Sequence, residues 1–434
     1  MNNLSNTWCP LPFMHLATRP NGDVRLCSTS NASGGVNAID IKDAGLVKDN
    51  GLPLNFRDNS LEEVWNCDYM KDVRLTMLDG NKPLSCMKCY NEEKLGITSK
   101  RQWETQEWQE RINYNELVSK MDTTGAMPVN IPYFDLRLGN MCQLKCIMCS
   151  PHDSSSWIKD WKIQYPNYKN VDLKNDQGWN SKFNYSWYKN NLFLNDMMKQ
   201  SQYIKELYFA GGEPTLIPEH YKILRAMIDV DAAKNCVLRY NSNGIDLPEE
   251  LFELWSHFKE VRYNLSIDAF GEKNEYIRFP SKWEQIQNSI KRLDETEPHV
   301  TVNIATAVQM LNILYLDELA EWKINAGFKK INLAPFGGGI VTMHLVTFPG
   351  YLNIRALPLQ MKELATDKIN NFLNKYSTPE FEKSQYGKKR WQSLIKYMMS
   401  EDMSFKLPQT IEYLENCDKI RKTDFRKIFS ELKI

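Results

Sequence analysis

Three cysteines within one short loop constrain this chain more than any other feature. Cys142, Cys146 and Cys149 lie in Asp135-Leu-Arg-Leu-Gly-Asn-Met-Cys-Gln-Leu-Lys-Cys-Ile-Met-Cys149, a C-x3-C-x2-C run that leaves an apolar strand. Three thiolates so spaced hold three corners of a cubane iron–sulfur cluster and leave the fourth iron open to a small chelating ligand. The alternatives are a zinc site or three buried thiols that bind no metal. Zinc usually takes four ligands from paired C-x2-C or His-containing knuckles, whereas this run supplies three, and His152 is poorly spaced to complete a tetrahedron.

A second segment, Leu207-Tyr-Phe-Ala-Gly-Gly-Glu-Pro-Thr215, is a short apolar strand breaking into a Gly-Gly turn that carries one carboxylate. Two glycines let the backbone come close to a ligand, and a carboxylate at a strand end accepts hydrogen bonds from an ammonium group. With both segments in place the chain resembles the radical S-adenosylmethionine (SAM) superfamily. The resemblance implies that Cys142, Cys146 and Cys149 bind a [4Fe-4S] cluster whose open iron SAM chelates. It also implies that Gly211, Gly212, Glu213 and Pro214 hold the methionine moiety. One residue departs from the family pattern: the position before the third cysteine, usually aromatic and close to the adenine, is Met148. A thioether packs on a purine face through polarizable contact, so Met148 stays a cofactor candidate.

Apolar runs near 133–138, 205–210, 236–241, 261–267, 300–308 and 330–335 read as parallel strands. Segments of helical period near 217–230, 247–258, 282–294 and 315–326 separate them. The expected fold is α/β, a partial (β/α)6 barrel with its chemistry at the carboxyl ends of the strands. Those ends bring Asn243 in Asn241-Ser-Asn-Gly244, and Ser266 and Asp268 in Ser266-Ile-Asp268. In similar enzymes such positions face the ribose and carboxylate of SAM. A plain Asn-Gly turn and a helix cap are the competing readings. Arg278 falls where related enzymes carry a Tyr-Arg pair near SAM or substrate, or else is a solvated or structural charge.

The first hundred residues hold a second constellation: Trp8-Cys9-Pro10, Pro20-Asn-Gly-Asp-Val-Arg-Leu-Cys27, Leu61-Glu-Glu-Val-Trp-Asn66 and Cys86-Met-Lys-Cys89. The Asn21-Gly22 turn predicts a hairpin that brings Cys9 and Cys27 together on paired strands. Four cysteines with one C-x2-C suit structural zinc on composition alone. The order of landmarks, however, resembles a SPASM or twitch domain, which implies that Cys9, Cys27, Cys86 and Cys89 carry an auxiliary [4Fe-4S] cluster. In most relatives that module follows the barrel; here it comes first. Cys67 reads as a spare thiol and Cys236 as a small core residue, while Cys417 is a candidate hydrogen-atom donor on a helix or simply buried.

At 434 residues the chain has room for two or three domains. The expected division is an auxiliary domain at 1–100, a helical linker at 101–130, a barrel at 131–345 and a helical region at 346–434. The start lacks a basic, apolar signal segment and no run is long enough for a bilayer, so a cytoplasmic, reducing setting without membrane contact is expected. Net charge is +0 with acids and bases interspersed, and no basic stripe points to nucleic acid. The stretch 151–204, rich in Trp, Tyr, Asn and Lys, is either a substrate groove with aromatic platforms or an ordered insertion.

The resemblance implies an enzyme of maturase or oxidoreductase type. A flavodoxin- or ferredoxin-type reductase supplies an electron, SAM is cleaved to a 5′-deoxyadenosyl radical, and a substrate hydrogen is abstracted. Many relatives with such auxiliary domains modify peptides or proteins, which is the leading expectation for substrate. A small molecule (sugar, amino acid or nucleotide) is the second, and a non-catalytic metal-stabilised binding protein the third.

Overall fold

The computed structural model describes residues 4–30, 45–94, 96, 98–166, 184–331, 340–384 and 387–434. Their contacts divide the chain into two compact units. One comprises 1–141, 170–239 and 250–260, the other 142–169, 240–249 and 261–434.

In the first unit, β1 (His15–Thr18) turns back through Asn21-Gly22 to β2 (Val24–Arg25), pairing Ala17 with Arg25 in antiparallel register. Gly22 takes φ +88°, and a Cβ there would lie 2.6 Å from the Trp187 ring, so the turn requires glycine. The predicted hairpin is present, but Cys9 is not on it. Cys9 precedes the short helix Leu11–Met14, and Cys27 follows the end of β2. A small hairpin, β3 (Lys48–Asp49) with β4 (Leu52–Pro53), lies further along the chain.

The other edge of β1 runs parallel to β5 (Tyr133–Leu136), His15 opposite Tyr133, and β5 is parallel to β6 (Glu206–Phe209). Thr18 fastens the first junction, its Oγ1 accepting from Arg137 N at 2.8 Å. A four-residue N-terminal strand thus joins the sheet that leads to the three-cysteine loop. Arg74, fully buried on the helix Asp68–Leu78, donates to the carbonyls of Pro12, Gly125 and Trp65 at 2.8, 3.0 and 2.9 Å and cross-braces the N-terminal elements.

β7 (Val237–Ser242) straddles the two units. In the second, β8 (Glu260–Ser266), β9 (Val300–Val308) and β10 (Thr342–Leu345) are parallel, Asn264 standing opposite Asn303 and Thr342 opposite Ala305. Along β8 and just past it, Val261, Tyr263, Leu265 and Ile267 are fully buried on one face. Arg262, Asn264, Ser266 and Asp268 occupy the other, as the strand period of two requires. The helix Trp283–Asp294 buries Ile286, Ile290 and Leu293, one stripe at helical spacing.

The fold is therefore α/β with a mostly parallel set of strands, as expected. Five predicted strands lie within a residue or two of their expected places. The run 330–335 falls largely outside the described residues; among those described, the last parallel strand is β10. Helices at Leu359–Tyr376, Lys388–Met399 and Leu407–Arg421 make up much of the C-terminal region. No helix among the described residues is long and apolar enough to cross a membrane. Trp157, Trp161 and Trp187, which were candidates for aromatic platforms, are buried core residues.

Two buried histidines give the first unit an acid limit. Burial lowers His15 to about 4 and His220 to about 3. The unfolded chain takes up those protons near pH 6.5 while the folded one does not. Their contribution is present above pH 6.5 and is lost as pH falls toward 4, on the order of several kcal/mol in total. The unfolding midpoint of the metal-free protein is expected to be level between pH 8 and 7 and to drop between 6.5 and 4.5. A His220→Gln variant should flatten that drop; an equal drop in the variant would count against burial of a neutral imidazole as its cause.

Candidate metal and cofactor site

The three-cysteine loop belongs to the second unit, and its sulfurs are close enough to set one another's ionisation. A hydrogen bond from Cys149 holds the Cys146 thiol below its usual range; burial opposes this, and Arg278 and Arg421 assist. Cys149 is raised, first by that shared hydrogen bond and then by burial. Cys142 Sγ accepts from Leu144 N at 3.4 Å and stands 3.9 Å from Asn243 Nδ2. A site in which one thiol is already inclined to ionise, beside two cations, suits an electron-rich cluster held by thiolates.

The strand-end candidates gather at this loop. Asn243 Oδ1 accepts from Ile245 N at 3.0 Å, an Asx turn, so the turn reading is correct for its backbone; its amide also meets Gln143 at 3.2 Å. Ser266 ends β8. Asp268 caps no helix: Gly271 holds that position, and the Asp268 carboxylate instead accepts from Ala307 N at 2.7 Å and pairs with Arg278 at 2.9 Å. Burial raises the Asp268 carboxyl and the nearby guanidinium works against it. Arg278 is not a solvated charge. Its side chain is 11% exposed, and Nη1 lies 4.0 Å from Cys146 Sγ. Met148 is half-buried on the loop.

In the first unit, Gly211 and Gly212 adopt φ +72° and +53°, where other residues are strained. A Cβ on Gly212 would meet Met141 O at 2.6 Å, and one on Gly211 the Arg137 side chain at the same distance. Glu213 N donates to Met141 O at 2.7 Å, tying this turn to the residue before Cys142. The Glu213 side chain is buried and accepts from Thr215 Oγ1 at 3.0 Å, while Pro214 opens the following 3-10 turn. A bare backbone cradle ending in a buried carboxylate fits the amino group of an amino-acid ligand.

Cys9, Cys27, Cys86 and Cys89 line one cavity in the first unit, together with Thr29, Lys100 and Arg101. Burial, followed by the charges of its neighbouring cysteines, pushes Cys9 well up; the same order of causes lifts Cys86 well up and Cys89 to about 11. Four thiols lining one buried cavity fit a centre that takes them as thiolates and supplies positive charge. Among the described residues no three Cys, His, Asp or Glu side chains are grouped to hold a single ion. Cys67 caps the helix Asp68–Leu78 away from this cavity lining, and Cys236 is fully buried before β7.

Sequence reasoning missed the side chains that hold the loop. Trp157 Nε1 donates to Cys146 O at 2.9 Å, Tyr413 Oη to Ile147 O at 2.7 Å and Arg421 Nη2 to Lys145 O at 2.8 Å. Cys417 lies between the last two on one helix, its sulfur 3.2 Å from Gln164 Nε2. No local sequence signal announces these pairings.

The radical SAM superfamily model matches residues 136–322, and the iron-sulfur cluster-binding SPASM domain matches residues 9–90. No curated protein matches the chain. Among solved structures it is similar to TYW1 with a lysine-pyruvate adduct bound, at 16% identity over 58% of this chain and 73% of that one, TM-score 0.30. It is also similar to Streptococcus suis SuiB bound to S-adenosylmethionine, at 14% identity over 74% and 67%, TM-score 0.31. SuiB bound to precursor peptide SuiA gives 14% identity over 70% and 68%, TM-score 0.31. At such TM-scores these three likenesses bear on neither substrate nor reaction.

Proposed function

Because this chain is a radical SAM enzyme with an N-terminal SPASM-type iron–sulfur domain, we propose that Cys142, Cys146 and Cys149 hold the catalytic [4Fe-4S] cluster. In the same reading Cys9, Cys27, Cys86 and Cys89 hold a second one, and the substrate is a peptide or protein segment. The placing of three cysteines on one loop, with Arg278 Nη1 4.0 Å from Cys146 Sγ and Arg421 bonded to Lys145 O, carries the reading. When bound and reduced, cluster and SAM together supply a carbon-centred radical able to abstract a substrate hydrogen.

The chain's own residues bind and orient. The Gly211-Gly212 turn admits the methionine backbone, and Glu213 accepts hydrogen bonds from its ammonium group. Asn243, Ser266 and Asp268 offer hydrogen-bonding groups to ribose and carboxylate, Asp268 being held in place by Arg278. Met148 packs near the adenine. A flavodoxin- or ferredoxin-type reductase supplies the electron. Cys9, Cys27, Cys86 and Cys89 would together hold the auxiliary cluster, and a cluster held by all four would supply electron transfer. The peptide class is supported by the auxiliary domain itself, since many similar enzymes that carry one act on peptides or proteins; a small molecule is the second reading.

Metal analysis after anaerobic reconstitution tests the two-cluster assignment. About eight irons per chain are expected, four to a cluster. About four irons with about one zinc would leave the catalytic centre and make the N-terminal site structural.

A further inference from the structure

The loop segment Lys145-Cys146-Ile147 is held along both edges. Its Lys145 and Ile147 N–H groups donate to Phe279 O and Ile277 O at 2.6 and 2.8 Å. Its three carbonyls accept, in order, from Arg421, Trp157 and Tyr413. Tyr413, Cys417 and Arg421 fall at four-residue intervals on the helix Leu407–Arg421, so a single stripe faces the loop. That helix lies far beyond residue 322, where the superfamily match ends.

Arg421 is the unusual member. It is 8% exposed, its guanidinium sits 4.6 Å over Trp157 and 5.1 Å over Phe279, and its Nε and Nη1 atoms have no hydrogen-bond partner among the described residues. A buried cation that spends one donor on the loop and keeps two unspent is costly unless negative charge is to lie beside it. The other cation at the loop, Arg278, is matched by Asp268, whereas Arg421 forms no ion pair among the described residues.

We infer that the C-terminal helix is part of the cluster centre: Arg421 is a buried counter-charge that makes the cluster at Cys142, Cys146 and Cys149 easier to reduce, and Tyr413 holds the loop in register. Both are positioning residues. The inference rests on the cluster assignment above and adds an element outside the matched domain to it. Adding an electron to an anionic cluster is favoured by nearby fixed positive charge and by hydrogen bonding around its ligands. Losing the cation therefore moves the midpoint to more negative potential.

The test is a redox titration of full-length, anaerobically reconstituted protein, following by electron paramagnetic resonance the cluster whose signal changes when SAM is added. Arg421→Met is expected to load iron and titrate at more negative potential than wild type; Arg421→Lys, which keeps the charge, titrates close to wild type. Tyr413→Phe keeps the potential, but its Lys145 and Ile147 amides exchange hydrogen faster in the metal-free protein. A Met variant that loads iron and titrates at the wild-type potential overturns the inference. So does a loaded Lys variant displaced far below wild type, whatever the Met variant does. A wild-type protein with no SAM-responsive cluster defeats the underlying cluster assignment, and this is distinguishable from either result.

Discussion

Replacing Cys142, Cys146 and Cys149 together by alanine is expected to lower iron from about eight to about four per chain and to abolish 5′-deoxyadenosine formation. The two effects are linked. A cubane needs its three thiolate corners, and without the open fourth iron SAM has nothing to chelate. The auxiliary cysteines are at separate positions in the other compact unit, so their iron should remain. Single variants should behave nearly as the triple one, because the three sulfurs act as one ligand set, with Cys146 buried and hydrogen-bonded to Cys149. Iron analysis and product chromatography on the same preparations check this. Retention of about eight irons in the triple variant would take the catalytic cluster away from Cys142, Cys146 and Cys149.

The second large effect belongs to Glu213. Its carboxylate is 1% exposed, steadied by Thr215, and follows a turn whose glycines admit no side chain. Glu213→Gln keeps the shape and the Thr215 contact but replaces a charged acceptor by a neutral amide. Hydrogen bonds between charged groups contribute roughly 1.5–3 kcal/mol, so SAM should bind about ten- to a hundred-fold more weakly. Iron content should be unchanged. Equilibrium SAM binding to the unreduced protein reads the effect without turnover. Unaltered affinity would remove Glu213 from the ammonium site, and lost iron would show that its role is structural.

Why some of this was legible in the sequence and some was not has a physical basis. The thiol loop and the glycine turn are local: few residues, fixed spacing, and chemistry that needs those residue types. β8 could be read because its apolar residues share one face, so Val261, Tyr263, Leu265 and Ile267 write the period of two into the chain, while β5, buried along its whole length, shows as a short apolar run. The parallel pairing of β1 with β5 carries no such mark, since the two strands are joined across more than a hundred residues and either reads as an edge. Tyr413 and Arg421 meet residues 266 and 276 positions away, and nothing at either end of those contacts specifies the other. Asp268 was misread as a possible helix cap because a carboxylate before Gly271 looks like one; the unpaired Ala307 N–H and the Arg278 guanidinium took it instead. For the aromatic stretch 151–204 composition leaves a groove and an ordered insertion open, because it does not say which way a tryptophan faces; Trp157, Trp161 and Trp187 face inward.

The central claim is that this chain reduces SAM at the cluster held by Cys142, Cys146 and Cys149. It is tested most directly by incubating reconstituted wild-type protein with SAM and dithionite, without substrate, and measuring 5′-deoxyadenosine. The account predicts deoxyadenosine formed only when both reductant and loaded cluster are present. A protein that carries its full iron and binds SAM yet yields none under reduction would contradict it.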